Sequence, residues 1–291
     1  MKLRPNDVAD MNFKPGAASA ALEASAPYLM IAASVTTAQV LPVLAMPLAI
    51  FIGTRFRHIN NIIHWASHGS ACQNKEWNDG LGSMLCASIF LDFKEYKMEH
   101  LSHHVNLGDY RADNDFSKIE YLRIGEKIGV SRRIKTIFSI RTLKSYIPTP
   151  NFKSKSASIG ALAYIAIVLW LVSSGFLMGA FTLLVGEFII YPVIRYLTDL
   201  VDHGGIYSES EKKKKSRNCI IYFKPLRALI FPANDCFHKV HHDFPAISAH
   251  AQEAVHNRCM AIDSEYAAET NRAVDHLDNR LAKRPLKAIV G

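Results

Sequence analysis

HLSHHVNLGDY at residues 100–110 puts three histidines into five positions, and HKVHH at residues 238–242 repeats the spacing. With 13 histidines in 291 residues, chance supplies about 0.03 copies of such a pattern. The chain carries two, so the pattern needs a chemical cause. A further cluster, HWASH, sets His64 and His68 four residues apart, and His203 ends the stretch YLTDLVDH. Spacings of three and four put side chains on one stripe of a helix, a turn apart. His100, His103 and His104 thus share a face, as do His238, His241 and His242. A lone histidine on a helix face is more often a structural residue, and isolated pairs are common on surfaces. Nine in four clusters differ: protonated together they repel, and buried without partners they are costly. Neutral imidazole is the commonest protein metal ligand, and these nine residues read as metal ligands.

Nine nitrogens exceed the four that one zinc takes. HWASH also lacks the glutamate of a zinc-protease helix, because Trp65 stands there. Two metals with four or five imidazoles each fit the count. Imidazole suits iron, zinc, copper and nickel alike, so ligand type leaves the element open.

The elements that must hold these residues are legible in the apolar runs. Residues 24–54 and 156–186 are each 31 residues without Asp, Glu, Lys or Arg, and past Glu187 the second run continues uncharged to Ile194. Runs beyond about 18 apolar residues read as membrane spans. The second holds two helices of about 18–20 residues, with SSGFLMG at 173–179 supplying a tight turn. The first is long for one crossing and short for two, and Pro42 near its centre suits a kink or a hairpin turn. Charge favours two. Residues 94–157 carry 13 Lys or Arg and KKKK at 212–215 adds more, whereas the expected hairpin tips carry none. Basic segments stay cytosolic, which demands an even number of crossings in each run.

The expected fold is an all-α integral membrane protein: four transmembrane helices in two hairpins, with a cytosolic helical cap holding a di-metal site. As one domain it divides into a cytosolic N-terminus (1–25), a first membrane hairpin (26–57) and a cytosolic segment with two histidine clusters (58–157). A second hairpin (158–197) and a cytosolic segment with the last triplet and a tail (198–291) follow. Both termini and every cluster then face the cytosol, at the cell inner membrane if the chain is bacterial. Positions 1–23 mix both signs of charge and offer no cleavable signal. Five cysteines without C-x-x-C spacing argue for reduced thiols. The net charge of +8 follows from the loop bias and contact with anionic lipid, and no nucleic-acid-binding pattern is present.

The order of these clusters resembles the membrane fatty acid desaturase and hydroxylase superfamily. HWASHGSACQNKEWNDGLG (64–82) is similar to that family's first box and its following Asn-Asp, and HLSHHVNLGDYRADND (100–115) to the second with its acidic pair. RYLTDLVDHGG (195–205) resembles the Arg-to-Glu-His stretch, and NDCFHKVHHDFPAI (234–247) the third box with its Phe-Pro. The likeness covers roughly residues 50–256. It implies four membrane helices and a di-iron centre ligated by His64, His68, His100, His103, His104, His203, His238, His241 and His242. It also implies O2-dependent attack on an unactivated C–H bond. HGGI at 203–206 lacks the His-Pro-Gly-Gly of a fused haem module, so electrons are expected from a separate ferredoxin or cytochrome b5-type donor.

Trp65 and Asp202 replace the glutamates often found at those positions, and neither change removes a ligand. Asp79, Asp113, Asp115, Asp202, Asp235 and Asp243 lie near the boxes and are able to accept a ring N–H, although each also suits a helix cap or a solvated loop. His58, His250 and His256 read as structural, KKKK as a headgroup contact more than a donor-docking site, and residues 261–291 as a tail. The implied reaction is desaturation of an acyl chain carried on lipid, CoA or a carrier protein. Hydroxylation or ketolation of a specialised metabolite is the alternative. A non-catalytic metal binder fits less well, because transporters place ligands at mid-membrane. An apolar cavity floored by residues 48–56 and 188–197 is expected beside the site.

Overall fold

The computed structural model describes residues 3–126, 128–207 and 215–273. These form helices and turns without a β-strand: α1 (Ala17–Val40), α2 (Ala45–Ser67), α3 (Lys75–Ser88), α4 (Phe93–Asn106), α5 (Val130–Ile137), α6 (Ile140–Tyr146) and α7 (Lys155–Ser173). There follow α8 (Leu177–Val185), α9 (Tyr191–His203), α10 (Lys224–Ile230), α11 (His238–Asp243), α12 (Gln252–Ile262) and α13 (Ser264–Ala273). Two compact units result. The first is Pro15–Met98 with Ser139–Tyr196; the second comprises the described parts of Met1–Lys14, Glu99–Phe138 and Leu197–Gly291.

In the first unit, Leu41 precedes Pro42, and a residue before proline is pushed out of the helical region. Leu41 accordingly leaves the helix (φ −125°, ψ 76°), and a 3-10 turn over Pro42–Leu44 sends the chain into α2, which packs against α1. Pro42 therefore makes a turn between two helices, not a kink within one. The second turn falls within the expected 173–179: α7 ends at Ser173, Gly175 takes φ +81°, and α8 begins at Leu177. Phe176, preceding α8, has no side-chain acceptor for the first amides. Gln39 near the end of α1 supplies one. Its Oε1 accepts from the N–H groups of Met178 (3.1 Å) and Gly179 (3.3 Å), while its Nε2 donates to the Gly175 carbonyl (3.0 Å).

Among the described residues, three helices are long and apolar enough to cross a membrane: Ala17–Val40, Lys155–Ser173 and the continuous Leu177–His203, in which a π-helical turn at Gly186–Ile190 links α8 to α9. The fourth expected crossing falls on α2. Its apolar first half gives way to Arg55, Arg57, Asn60, Asn61 and His64, all buried, with Arg57 donating to Asn60 Oδ1 at 3.1 Å. That polar half keeps α2 out of the apolar class.

Close helix approach depends on small residues. A Cβ on Gly160 of α7 would stand 1.8 Å from the carbonyl oxygen of Ala87 in α3, and backbone cannot swing aside as a side chain can. Gly160→Ala is expected to push α7 from α3 and to cost about 1–3 kcal/mol, as overpacking does. A lowered unfolding midpoint of the detergent-solubilised protein checks this; an unchanged midpoint would count against the contact.

The second unit is built on a core that includes Val8, Ile220, Phe237, Val240, Val255 and Cys259. Its N-terminal segment is pinned by hydrogen bonds: Leu3 N–H donates to Asp263 Oδ2 (3.1 Å), and Asn12 donates to the Ala246 carbonyl (2.9 Å) and accepts from Ser248 N–H (3.0 Å). All five cysteines of the chain are free and buried, in keeping with their unpaired spacing.

Candidate metal centre

In the second unit, α4 ends with His103 and His104 in its last turn, α9 ends on His203, and α11 carries His238, His241 and His242. One nitrogen from each of His103, His203, His238 and His242 lies within 4.8 Å of the other three, and the same holds among His100, His104 and His241. The closest approaches join Nε2 atoms: His203 to His238 at 2.9 Å and His238 to His242 at 2.9 Å. His104 similarly approaches His100 at 3.0 Å and His241 at 2.8 Å. Seven of the nine sequence-predicted ligands are thereby brought together in this unit.

Two neutral imidazoles meet this closely only when one nitrogen donates and the other accepts. Here the protons are claimed elsewhere. His203 Nδ1 donates to the Lys215 carbonyl (2.8 Å), and His103 Nδ1 to Asp113 Oδ2 (2.7 Å). His100 Nδ1 faces Asp115 Oδ2 at 3.3 Å, and Asp202 Oδ2 stands 3.4 Å from His238 Nδ1. A proton on Nδ1 leaves Nε2 as a bare lone pair. His203 then presents a lone pair to His238, and where Asp202 holds the His238 proton on Nδ1 the two lone pairs repel unless a cation lies between them. Two nitrogens roughly 2.0–2.1 Å from one metal and at right angles stand about 3.0 Å apart. That is the spacing found, so the donor set fits a metal.

Electrostatics support this. Burial pushes the pKa of His242 well below its ordinary value, and the neighbouring imidazoles push the same way. Burial also lowers that of His100, against the pull of Asp115. For His103 burial acts downward, but the hydrogen bond and charge of Asp113 outweigh it and the net shift is upward. Neutral His100 and His242 keep their lone pairs, while the Asp113 carboxylate that draws a proton to His103 stands ready to balance metal charge.

Asp113, fully buried, gathers four donors. Besides His103, its Oδ2 accepts from Tyr207 Oη (2.6 Å), and its Oδ1 accepts from the N–H groups of Asp115 (3.0 Å) and Phe116 (3.2 Å). The Phe116 ring stacks between His103 (centroids 5.0 Å) and Tyr207 (4.8 Å). Tyr207, Phe116 and the Lys215 carbonyl were not foreseen from the sequence; a carbonyl leaves no side-chain signal at all. Of the other acidic residues, Asp79 accepts from Asn78 Nδ2 (3.0 Å) and approaches Lys97 (3.9 Å), while Asp243 pairs with Lys239 (3.3 Å). Lys212 to Lys214 and residues 274–291 lie outside the described residues.

In the first unit, His64 is in the last turn of α2 and His68 caps it, their ring centroids 5.6 Å apart. Trp65, standing where the glutamate was missed, is buried and stacks on His64 (5.2 Å). Asn78 holds the turn that follows, donating to the Ala66 carbonyl (2.9 Å) and accepting from Ala71 N–H (3.2 Å). This unit also carries an apolar groove of about 800 Å³ between α1 and α3, walled by Ala20, Ala24, Tyr28, Trp77, Leu81 and Met84. Residues 48–56 and 188–197, expected to floor a cavity, do not line this one.

No curated protein matches the chain. The clustered histidines with carboxylates and a carbonyl behind them, the apolar helices and a match of the Fatty acid desaturase family model to residues 41–273 agree, and the chain belongs to the fatty acid desaturase family.

Proposed function

We propose that this membrane protein is an O2-dependent di-iron desaturase that places a double bond in an acyl chain linked to lipid, CoA or a carrier protein. The observation that carries the reading is the set of Nε2 atoms facing one another with their ring protons held away. Family membership supports iron and an acyl substrate. In this reading His64 and His68 join His100, His103, His104, His203, His238, His241 and His242 as ligands. Bound there, two irons supply reductive activation of O2 and removal of hydrogen from an unactivated C–H bond.

The balance is definite. The alkyl segment loses two hydrogens, a ferredoxin or cytochrome b5-type donor gives two electrons, solvent gives two protons, and O2 leaves as two waters. The chain's own residues hold the imidazoles for this work. Asp113 and the Lys215 carbonyl keep the protons of His103 and His203 on Nδ1, and the burial of both rings keeps water from them. By the basic-segment rule, α2 serves as the fourth crossing and the boxes and both termini face the cytosol.

The test is Fe2+-loaded protein with ferredoxin, its reductase, O2 and a panel of acyl substrates. The expected product is an alkene, formed only with O2 and the donor and free of label when the O2 is isotopically labelled. Labelled oxygen in the product would assign the alcohol-forming chemistry of the superfamily instead. Product identical with and without O2 would sink both.

A further inference from the structure

The helix that carries His238, His241 and His242 is only six residues long, far below the length at which a helix holds its own shape. The chain enters it through Ala233 and Asn234, both with φ +57°, a conformation unfavourable without glycine. Phe237, at its N-cap, offers no side-chain acceptor for the first amides. Something else must fix the direction of this helix, because its direction sets where three imidazoles point.

Asn218 does so from 21 residues away. It is fully buried, and its Oδ1 accepts from the N–H groups of Lys239 (2.9 Å) and Val240 (3.2 Å). Backbone amides only donate, so the orientation of the Asn218 amide is forced and its Nδ2 must donate outward. It donates to Tyr266 Oη (2.8 Å) in α13. The phenol oxygen also lies 2.9 Å from His256 Nδ1 in α12, with the direction of that hydrogen bond set by the imidazole tautomer. Tyr266 is itself anchored by its N–H to Asp263 Oδ1 (3.0 Å), and Lys239 Nζ lies 5.6 Å over its ring. The links from Tyr266 through Asn218 have one sense, and they end on the first turn of α11.

We propose that Asn218, oriented by Tyr266 and His256, is a positioning residue for the metal centre, so that α12 and α13 set metal affinity through α11. Residues that read in the sequence as a structural histidine and a tail become the outer support of the ligand set. This rests on the reading of the histidines as metal ligands.

The test uses Co2+ as probe on the full-length, metal-free protein in detergent, reading affinity and the visible absorption of the bound ion. Asn218→Ala is expected to weaken Co2+ binding about 10–100-fold, the usual effect of losing an outer partner of a metal ligand, and to alter the absorption bands. Asn218→Asp keeps the acceptor of the Lys239 and Val240 amides but loses the donor to Tyr266 Oη, and should recover part of the affinity and of the spectrum. Tyr266→Phe should weaken binding about fivefold, the worth of one hydrogen bond, with the unfolding midpoint held near wild type. A purely structural role would move the midpoint and leave the spectrum alone. Wild-type affinity and spectrum in Asn218→Ala would overturn the proposal; should that variant not fold, the same outcome in Tyr266→Phe would overturn it. Wild-type protein that takes up no Co2+ would overturn the metal reading and this proposal together.

Discussion

His238→Ala protein produced with iron in excess is expected to retain at most about half the wild-type iron and no measurable turnover. His238 is the ring whose Nε2 stands 2.9 Å from both His203 and His242. Its removal takes one donor from the set and leaves Asp202 without the ring it approaches at 3.4 Å. The vacated position opens to water, which binds iron but does not fix its geometry. Loss should exceed what affinity alone accounts for, since bond cleavage at an unactivated carbon depends on placement to a fraction of an ångström. The control is His250→Ala, an exposed histidine in the turn before α12, which should keep iron and activity. Metal analysis and product formation on the same preparations check both variants. Full iron with wild-type turnover in His238→Ala would remove that residue from the ligand set.

The parts of this molecule that were legible in the sequence are those whose physics is local. Three-and-four spacing placed His100, His103 and His104 on one stripe of α4, and a proline after Leu41 ended α1 where the backbone of residue 41 had to leave the helix. The acidic pair trailing the second box was legible only as one of two readings, ring partner or loop carboxylate, and the fold places Asp113 behind His103 and Asp115 beside His100. What was not legible depends on contacts between distant residues. Gln39 caps α8 from the end of another helix, and Asn218 caps α11 from outside it. An isolated Gln or Asn carries no pattern that assigns it such a partner. The Lys215 carbonyl and the phenol of Tyr207 are invisible for the same reason. The fourth expected crossing shows the limit of composition: Arg55, Arg57 and His58 interrupt the apolar pattern of α2, and both arginines find partners within that same helix, Arg55 at Thr54 and the Phe51 ring and Arg57 at Asn60.

Asp113→Asn, a change of one atom, should lower metal affinity about 10–100-fold and turnover by at least as much. Asp113 accepts two hydrogen bonds at each oxygen, from His103 and Tyr207 at one and from two backbone amides at the other. An asparagine must place its NH2 at one of these positions, and either choice sets donor against donor. If the NH2 faces the amides of Asp115 and Phe116, the turn that holds Phe116 against His103 opens. If it faces His103, the ring loses its acceptor, the proton is free to move to Nε2, and the lone pair meant for metal is gone. Each unsatisfied buried group costs about 1–3 kcal/mol, so neither orientation is tolerated. Asp79 gives the contrast: it accepts from Asn78 and lies near Lys97 at a half-exposed position, so Asp79→Asn should leave iron content and turnover near wild type. Iron titration and turnover on the two variants side by side decide the matter. Equal retention of iron by both would mean that the buried carboxylate behind His103 does not orient a ligand.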